Sequence, residues 1–425
     1  MGNRVVITGM GAVSPNGADL ASFNHAIKNG ISGIRHDPHL EELNFSCQIA
    51  GQPEITPERI AQYFTPLELR NLDSSGIVYG VIAALDAWRD AGLAIEKNED
   101  PDWDSGAIFG MGTSGVDKFR WAAKLVDEGL VRKIGSSVVA QTMASAVIAF
   151  VGGKLGLGNQ VTVNSSACAT GTESLLMCYE HIKSGKAKRM LSGGTADSGA
   201  YIWAGFDAMK VCTFKHNHEP EKGSRPMSAS ASGFVPGAGA AALVVESLDS
   251  ALARGARIYA EVLGGAVNSG GQRGLGTMTA PNPVAVQRCI TQALANTGVE
   301  ANSIDVINGH LTATSKDGLE IENWTKALGR SGTAFPYINS LKSMTGHCMA
   351  ASGGLEAIAS VLQIHEGFIF PNINCEDINP EIEQLIDKDK IVTQLIKQPI
   401  NILAKASFGF GDVNACVIFK KYNEG

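Results

Sequence analysis

One pattern occurs twice in the chain and limits the folds that it can adopt. Residues 163–165 (Val-Asn-Ser) lead to Cys168 and a helical segment, and residues 338–340 (Ile-Asn-Ser) lead to His347 and another helical segment. Repeats of this kind usually signal duplicated structural units. We therefore predict two similar α/β halves that face each other, each supplying chemistry from a strand-to-helix turn. A chance similarity of two strand–helix units is the alternative.

The rest of the chain alternates between strand-like and helix-like segments. This order is typical of an α/β fold. A charged helical segment at residues 247–257 marks the boundary, so we predict an N-terminal half of residues 1–255 and a C-terminal half of residues 256–425. The predicted helices include residues 77–91 and 171–183. The predicted strands are residues 4–8, 107–110, 161–163, 241–246 and 258–263. Of these, 161–163 is expected to be buried.

A glycine-rich run near the N-terminus, residues 8–14, is similar to part of a dinucleotide-binding loop. Ser14 stands where that motif has its third glycine, and Pro15 follows it. The third glycine is needed for close packing of helix on strand. We therefore predict a structural turn here rather than a nucleotide site.

Composition argues against several classes of protein. The 425 residues include 49 glycines, 44% hydrophobic residues and 18% charged residues, which fits a compact enzyme with a large core and a dimer interface. The net charge of −7 argues against a general nucleic-acid binder. The longest apolar stretch, residues 143–151, is about half of the roughly 20 residues that span a bilayer. No signal sequence is recognisable, and we expect a cytoplasmic protein.

Cys168 lies among small residues where a strand stops and a helix begins. Backbone N–H groups and the helix dipole at such a place favour a thiolate, the form that attacks thioesters. The same N–H groups can hold an oxyanion. We therefore predict that Cys168 is a nucleophile. The other cysteines lack this setting and metal or redox spacing, so we expect inert thiols without a metal site at Cys47, Cys178, Cys212, Cys289, Cys348, Cys375 and Cys416.

Two histidines, His310 and His347, follow predicted buried strands. A single histidine in such a place is more often structural than catalytic. Here there are two, and His347 lies in the second copy of the pattern that contains Cys168. We predict that both histidines act together with Cys168.

Six segments carry a family resemblance: residues 6–15, 167–171, 224–226, 309–310, 342–347 and 407–411. Over nearly the whole chain they resemble the elongating β-ketoacyl-acyl-carrier-protein synthases, which are condensing enzymes of the thiolase superfamily. The Cys-His-His set is that of the elongating branch, because the initiating branch has Asn in place of the second His. The resemblance implies an α/β, thiolase-like fold with two similar halves in a five-layer αβαβα sandwich.

The resemblance also implies the reaction, a decarboxylative Claisen condensation of an acyl-enzyme with malonyl-carrier protein in fatty acid or in polyketide- or polyene-type biosynthesis. Cys168 would carry the acyl group, and His310 and His347 would bind the malonyl thioester through Nε2. The backbone N–H groups of Cys168 and Phe408 would form the oxyanion hole, and the Phe408 ring would gate the acyl pocket, with plain core packing as the alternative.

Further residues have implied supporting roles. Lys342 and Glu356 match the family's ionic residues, and an ordinary structural ion pair is the alternative for them. Thr312 and Thr314 match the threonines that hydrogen-bond the pantetheine arm of the carrier protein, with ordinary threonines at a strand end as the alternative. Phosphopantetheine arrives on that carrier, so we expect no cofactor held by this chain.

The implied partner is an acidic acyl carrier protein, which should meet local basic residues. Arg132, Lys133 and Lys215 align with docking positions of the family, and Arg70 is a weaker candidate. Solvated surface charge is the alternative for each. We expect a homodimer, with a heterodimer of related subunits left open.

Two other functions are alternatives to condensation. A non-catalytic partner, like the chain-length subunit of a ketosynthase heterodimer, typically lacks the cysteine that is present here as Cys168. A degradative thiolase has a second catalytic cysteine near its C-terminal glycine-rich loop, whereas Cys416 lies further along in a predicted final strand.

Four departures from the family pattern bear on the substrate. Leu311 stands where the family has Gly, and residues 412–413 (Asp-Val) replace Gly-Thr. Residues 227–232 lack the usual charged residues, and residues 236–239 lack a usual acidic residue. All four line or brace the active site of the family. They indicate a specialised pathway rather than housekeeping fatty-acid synthesis.

Overall fold

The computed structural model describes residues 2–95 and 99–423. Its strands are β1 (Val5–Val13), β2 (Ile34–His36), β3 (Ile49–Gly51), β4 (Ser105–Met111), β5 (Val161–Thr162), β6 (Arg189–Ala196), β7 (Gly239–Ser247), β8 (Ala260–Ser269), β9 (Val306–Asn308), β10 (Tyr337–Asn339), β11 (Phe368–Ile369), β12 (Ile396–Lys397), β13 (Ile402–Gly409) and β14 (Val413–Lys420).

Its helices are α1 (Leu20–Lys28), α2 (Pro38–Glu42), α3 (Pro57–Ile60), α4 (Pro66–Leu69), α5 (Ser75–Asp90), α6 (Val116–Asp127), α7 (Ser137–Thr142), α8 (Ala146–Leu155), α9 (Thr170–Lys183), α10 (Ala200–Ala208), α11 (Leu248–Ala253), α12 (Pro283–Thr297), α13 (Asp317–Leu328), α14 (Lys342–Thr345), α15 (Ser352–Glu366) and α16 (Pro380–Glu383). Strands alternate with helices along most of the chain, so the predicted α/β class is confirmed.

The central sheet repeats one topology twice. Strand order is β5-β4-β6-β7-β1 in the first five strands and β10-β9-β13-β14-β8 in the second five. In each set the first two pairings are parallel and the last two are antiparallel. A short antiparallel pairing of β1 with β8 joins the sets. The predicted boundary at residues 255 and 256 falls in the connection between α11 and β8.

Helices form three layers around the two five-stranded sets. Helices α9 and α15 contact strands of both sets and each other, so they lie between them. Helices α5 and α8 cover the first set, and α12 packs on the second and is itself covered by α13. Three apolar core clusters fill the spaces between these layers. The five-layer αβαβα order follows. None of the described helices is both long and apolar enough to cross a membrane.

The glycine-rich run at residues 8–14 is not a turn, so this prediction was wrong. Gly9 and Gly11 lie inside strand β1. A Cβ atom at Gly11 would lie 2.0 Å from the carbonyl oxygen of Ala83 in α5, and one at Gly9 would lie 2.2 Å from that of Ala87. The glycines serve close packing of α5 on the strand, as glycine within a strand often does.

The segment at residues 161–163 is also not the buried strand that was predicted. Only Val161 and Thr162 form β5, which pairs with β4 alone at the edge of the sheet. The Val161 residue is 37% exposed. β-Branched residues favour strands at sheet edges as well as in cores, so composition did not distinguish the two.

Glycines at the starts of α9 and α15 let the two helices touch through their backbones. A Cβ atom at Gly171 would lie 2.4 Å from the backbone nitrogen of Gly354, and one at Gly353 would lie 2.6 Å from Oγ1 of Thr172. No larger side chain fits there without displacing the neighbouring helix. This contact brings together the turns that precede the two helices.

Two carboxylates at the start of α13 shape the loop after β9. Glu320 accepts hydrogen bonds from the backbone N–H groups of His310 and Leu311, both at 2.7 Å. Asp317 accepts from the N–H groups of Thr312 and of the next two residues. Burial raises the pKa of Asp317 to about 6 and that of Glu320 to about 7. The loop that begins at His310 is therefore held by buried acids.

We predict that Gly171→Ala destabilises the protein by about 3 kcal/mol, because the added methyl group overlaps the backbone of α15. Urea denaturation measures the free energy of unfolding. The control is Gly153→Ala in α8, where a Cβ atom meets nothing within 4 Å, and which should be neutral or slightly stabilising. Equal stability of the Gly171→Ala and wild-type proteins would contradict the contact.

We predict that Glu320→Gln lowers the free energy of unfolding at pH 8 by about 1–3 kcal/mol. An ionised carboxylate accepts two N–H bonds, whereas the amide directs one of its own N–H groups at a backbone donor. Glu322→Gln is the matched control, since the Glu322 side chain lies on the same helix and is partly exposed. A Glu320→Gln protein as stable as this control would refute the role of Glu320.

Candidate active site

A cavity of about 430 Å³ opens where the two halves meet. Cys168, His310 and His347 line it together with Phe408 and Phe410. The Cys168 sulfur and one ring nitrogen of each histidine all lie within 4.8 Å of one another. The structure thus brings together the three residues that the sequence indicated for catalysis.

Cys168 lies in a single 3₁₀ turn, Ala167–Ala169, directly before α9. Its Sγ is 3.1 Å from Nε2 of His347. Burial raises the pKa of the Cys168 thiol, while Lys342 and the backbone N–H groups of Phe410 and Cys168 lower it by less. The helix terminus was expected to favour the thiolate, but burial opposes this more strongly and leaves the pKa of the thiol above its usual value.

The remaining cysteines are all buried, as the sequence suggested. Burial raises the pKa of four of them to about 12, which makes their thiols unreactive at neutral pH. These four are Cys47, Cys289, Cys348 and Cys375.

Both histidines present an N–H group to the cavity. Nδ1 of His347 accepts the backbone N–H of Met349 at 3.0 Å, so the neutral ring carries its proton on Nε2. Nδ1 of His310 lies 3.4 Å from Nζ of Lys342, a donor, which favours the same tautomer. Burial, and secondarily Lys342, holds the pKa of each histidine well below its usual value. Both rings are thus neutral Nε2–H donors.

Lys342 and Glu356 form a fully buried ion pair behind the histidines. A second lysine, Lys405 in β13, also contacts this carboxylate, with 2.9 Å between its Nζ and Oε2 of Glu356. Lys405 was not predicted from the sequence. A lysine within an otherwise apolar and small-residue strand was the signal, but nothing along the chain shows that Glu356 is near it.

The second backbone donor at the thiol is Phe410 rather than Phe408. The backbone N–H of Phe410 lowers the pKa of the Cys168 thiol, and a Cβ atom at Gly409 would lie 3.2 Å from the Cys168 nitrogen. Phe408 is instead a buried strand residue whose ring stands edge-on to His310, with 6.1 Å between centroids. The chain turns after β13, and the turn places the later phenylalanine's N–H at the thiol.

The predicted substrate-binding and docking residues lie in different places. Thr312 and Thr314 line the cavity, with their hydroxyl groups 3.1 Å apart. Arg132, Lys133 and Lys215 are exposed but are not part of the cavity wall. Two exposed lysines that the sequence analysis missed, Lys210 and Lys316, do line it. Arg70 is also exposed.

One departure from the family pattern has a clear structural effect. Asp412 is fully buried with a positive φ of 63°. Its carboxylate accepts the backbone N–H groups of Gln272 at 2.9 Å and Asn282 at 2.8 Å. The segment between these residues includes Thr279, which lines the cavity. Asp412 thus braces one wall of the cavity, and Leu311 is buried in the adjacent core.

A thiolate and two imidazoles form a donor set that suits zinc. Two lysine ammonium groups lie behind these donors and oppose a divalent cation at this point. The expectation that the chain holds no resident metal stays a prediction.

Comparison with known proteins identifies the family. Residues 2–251 match the β-ketoacyl synthase N-terminal domain, and residues 259–376 match the C-terminal domain. The chain is 34% identical over 424 residues to "3-oxoacyl-[acyl-carrier-protein] synthase I, chloroplastic" of Arabidopsis thaliana, covering 99% of this chain and 87% of that protein. It is also 34% identical to "3-oxoacyl-[acyl-carrier-protein] synthase 1" of Haemophilus influenzae, with 99% of both covered.

Solved structures agree with this match. A β-ketoacyl synthase from Burkholderia phymatum superposes with a TM-score of 0.89 at 28% identity, covering 99% of this chain and 100% of that one. The ishigamide ketosynthase/chain length factor superposes with a TM-score of 0.88 at 27% identity, with 100% of both chains covered. The thiolase-like fold implied by the sequence is confirmed, and the chain belongs to the β-ketoacyl synthase family.

Proposed function

We propose that this protein is a 3-oxoacyl-acyl-carrier-protein synthase that forms carbon–carbon bonds by decarboxylative condensation. The observation that carries the proposal is the meeting of one thiol and two imidazole rings in a single cavity between the halves. Their side chains match the two tasks of the reaction, which are acyl transfer to a nucleophile and stabilisation of an enolate. A non-catalytic partner subunit needs neither the thiol nor the imidazole rings.

The first step transfers an acyl group from the carrier protein to Cys168. Sγ attacks the thioester carbonyl, the bond from carbon to the pantetheine sulfur breaks, and the Cys168 proton ends on the departing pantetheine thiolate. The His347 Nε2–H, 3.1 Å from Sγ, stabilises the thiolate as it forms. In this proposal the backbone N–H groups of Cys168 and Phe410, which lower the pKa of the thiol, also hold the oxyanion.

The second step uses malonyl-carrier protein. The carbon–carbon bond between the malonyl C2 and its carboxylate breaks, and carbon dioxide leaves. The electron pair of that bond moves into the thioester and forms an enolate. The Nε2–H groups of His310 and His347 donate to the enolate oxygen, and donors of this kind are worth about 3–4 kcal/mol each. The enolate carbon attacks the acyl carbonyl, the bond to Sγ of Cys168 breaks, and the released thiolate takes up a proton.

The cavity wall suggests how the carrier protein is held. Thr312 and Thr314 offer hydroxyl groups to the pantetheine arm inside the cavity. Lys210 and Lys316 supply positive charge at the cavity, where an acidic carrier protein would dock. We add these two lysines to the proposed docking residues Arg132, Lys133 and Lys215.

The assembly and the pathway belong to the same proposal. We propose a homodimer, with a ketosynthase heterodimer as the second arrangement. Solved structures similar to this chain include the ishigamide ketosynthase/chain length factor and a type II polyketide carrier protein in complex with its ketosynthase. Asp412 departs from the family pattern and braces one wall of the cavity. On this ground we propose that the acyl product is a specialised one.

We predict that the wild-type protein gains the mass of one acyl group when it is incubated with acyl-carrier-protein thioesters, and that Cys168→Ala gains none. Intact-protein mass spectrometry measures the gain. The reason is that, of the cysteines, Cys168 alone opens to the cavity while the others are buried.

His310→Ala is the matched control for this experiment. It should still take up the acyl group, because the hydrogen bond to Sγ comes from His347, but it should release little carbon dioxide from malonyl-carrier protein. Failure of the wild-type protein to take up any acyl group from a panel of chain lengths would contradict the proposed function.

We predict that Lys316→Glu raises KM for the carrier-bound substrate about tenfold at low salt and leaves kcat for a short pantetheine thioester unchanged. Reversal of a charge at the docking surface slows association with an acidic partner, and salt screens the effect. Lys388→Glu, an exposed lysine that does not line the cavity, is the control. Equal KM values for the two variants would exclude Lys316 from docking.

A further inference from the structure

Lys405 is a buried cation that the steps above do not use. It lies in β13 with 0% of its surface exposed. Its Nζ lies 2.6 Å from Oγ1 of Thr172 and 2.9 Å from Oε2 of Glu356, and it also donates to Oγ of Ser407. The two hydroxyl groups accept hydrogen bonds from the ammonium group, and Glu356 forms an ion pair with it. Burial lowers the pKa of Lys405, and Glu356 opposes that shift.

Lys405 changes the charge balance of the buried cluster. Lys342 and Lys405 contact the same carboxylate, Glu356, each at a different oxygen. Within the described residues, no other carboxylate lies within 4 Å of either ammonium group. Two cations share one anion, so the three side chains carry one net positive charge while Cys168 is a neutral thiol. The thiolate form of Cys168 balances that charge.

The excess charge acts on the catalytic residues. Lys342 and Lys405 both lower the pKa of His347 and of His310, whose rings line the same cavity as Cys168. At Cys168, Lys342 lowers the pKa of the thiol and Glu356 raises it. A second cation on Glu356, Lys405, offsets that opposing negative charge. Charges in a buried site are screened far less than charges at a surface.

We propose that Lys405 is a positioning residue of the active site. Its ammonium group shares Glu356 with Lys342 and thereby provides a net positive charge. This charge stabilises the Cys168 thiolate and keeps both histidines uncharged. For the condensation itself this inference rests on the proposed function. In the condensation step Cys168 is acylated and neutral. The same positive charge then attracts the malonyl carboxylate and stabilises the enolate.

Several titratable groups face this cluster, and any pH profile reports on them together. From the packed elements they are Glu356 of α15, Lys342 of α14, Glu320 of α13, Cys416 of β14, His310 after β9, His347 and Cys348 before α15, and Cys168 before α9. Removal of a positive charge from the cluster raises the pKa of the thiol, so the thiolate forms at a higher pH.

The test is the rate at which iodoacetamide alkylates Cys168 between about pH 5 and pH 10, followed by peptide mass spectrometry. The rate rises with pH as the thiolate forms. We expect the Lys405→Met profile to move to higher pH, with an alkylation rate at pH 7 about tenfold below wild type for a shift of about one pKa unit. Coincident wild-type and Lys405→Met profiles would overturn the proposal.

Lys405→Gln separates charge from hydrogen bonding, because its amide can still donate to Thr172 or Glu356. We expect it to move the profile as Lys405→Met does, and a wild-type profile would overturn the role of the charge. Each variant leaves the Thr172 and Ser407 hydroxyl groups 3.0 Å apart, able to bond each other. Lys405→Gln also provides the test if Lys405→Met does not fold.

Lys118→Met controls for loss of a buried lysine elsewhere. Lys118 lies in α6 and pairs with Asp73 at 2.9 Å, away from the cavity wall. Its alkylation profile should match wild type, and an equal shift in this variant would also overturn the proposal. Alkylation needs no carrier protein, so its outcome is independent of whether condensation is the true activity.

Discussion

The contact between the starts of helices α9 and α15 is the constraint on which the catalytic group depends. Gly171 and Gly353 let the two backbones approach to a distance that a single methyl group would prevent. Cys168 lies just before α9, and His347 lies just before α15. Their reacting atoms meet at 3.1 Å because the helices behind them meet. A loss of this packing would separate the nucleophile from its donor.

Burial then determines the protonation states of Cys168, His310 and His347. Desolvation disfavours charge on the thiol and on both imidazoles, so the resting site is neutral where the chemistry occurs. Charge is concentrated one layer behind, in Lys342, Lys405 and their shared Glu356. This separation suits a reaction that creates a thiolate, an oxyanion and an enolate in turn, because fixed positive charge and N–H donors await each of them.

The duplicated topology explains where the parts come from. Each half supplies one strand-to-helix turn, and the two helices that follow form the middle layer. His310 has no counterpart in the repeated pattern, and its loop is held in another way, by the buried carboxylates Asp317 and Glu320. The site therefore combines a symmetric pair of turns with one loop that belongs to the second half alone.

The sequence by itself determined the alternation of strands and helices, the repeated pattern, and the choice of Cys168, His310 and His347 as candidate catalytic residues, because each of these has a local signal along the chain. Tertiary structure alone decided what depends on residues distant in sequence. It showed that Gly9 and Gly11 lie in a strand under α5, that Phe410 rather than Phe408 faces the thiol, and that Lys405 reaches Glu356. It also decided that the thiol is neutral at rest, since desolvation depends on everything packed around an atom and a helix terminus is only one part of that.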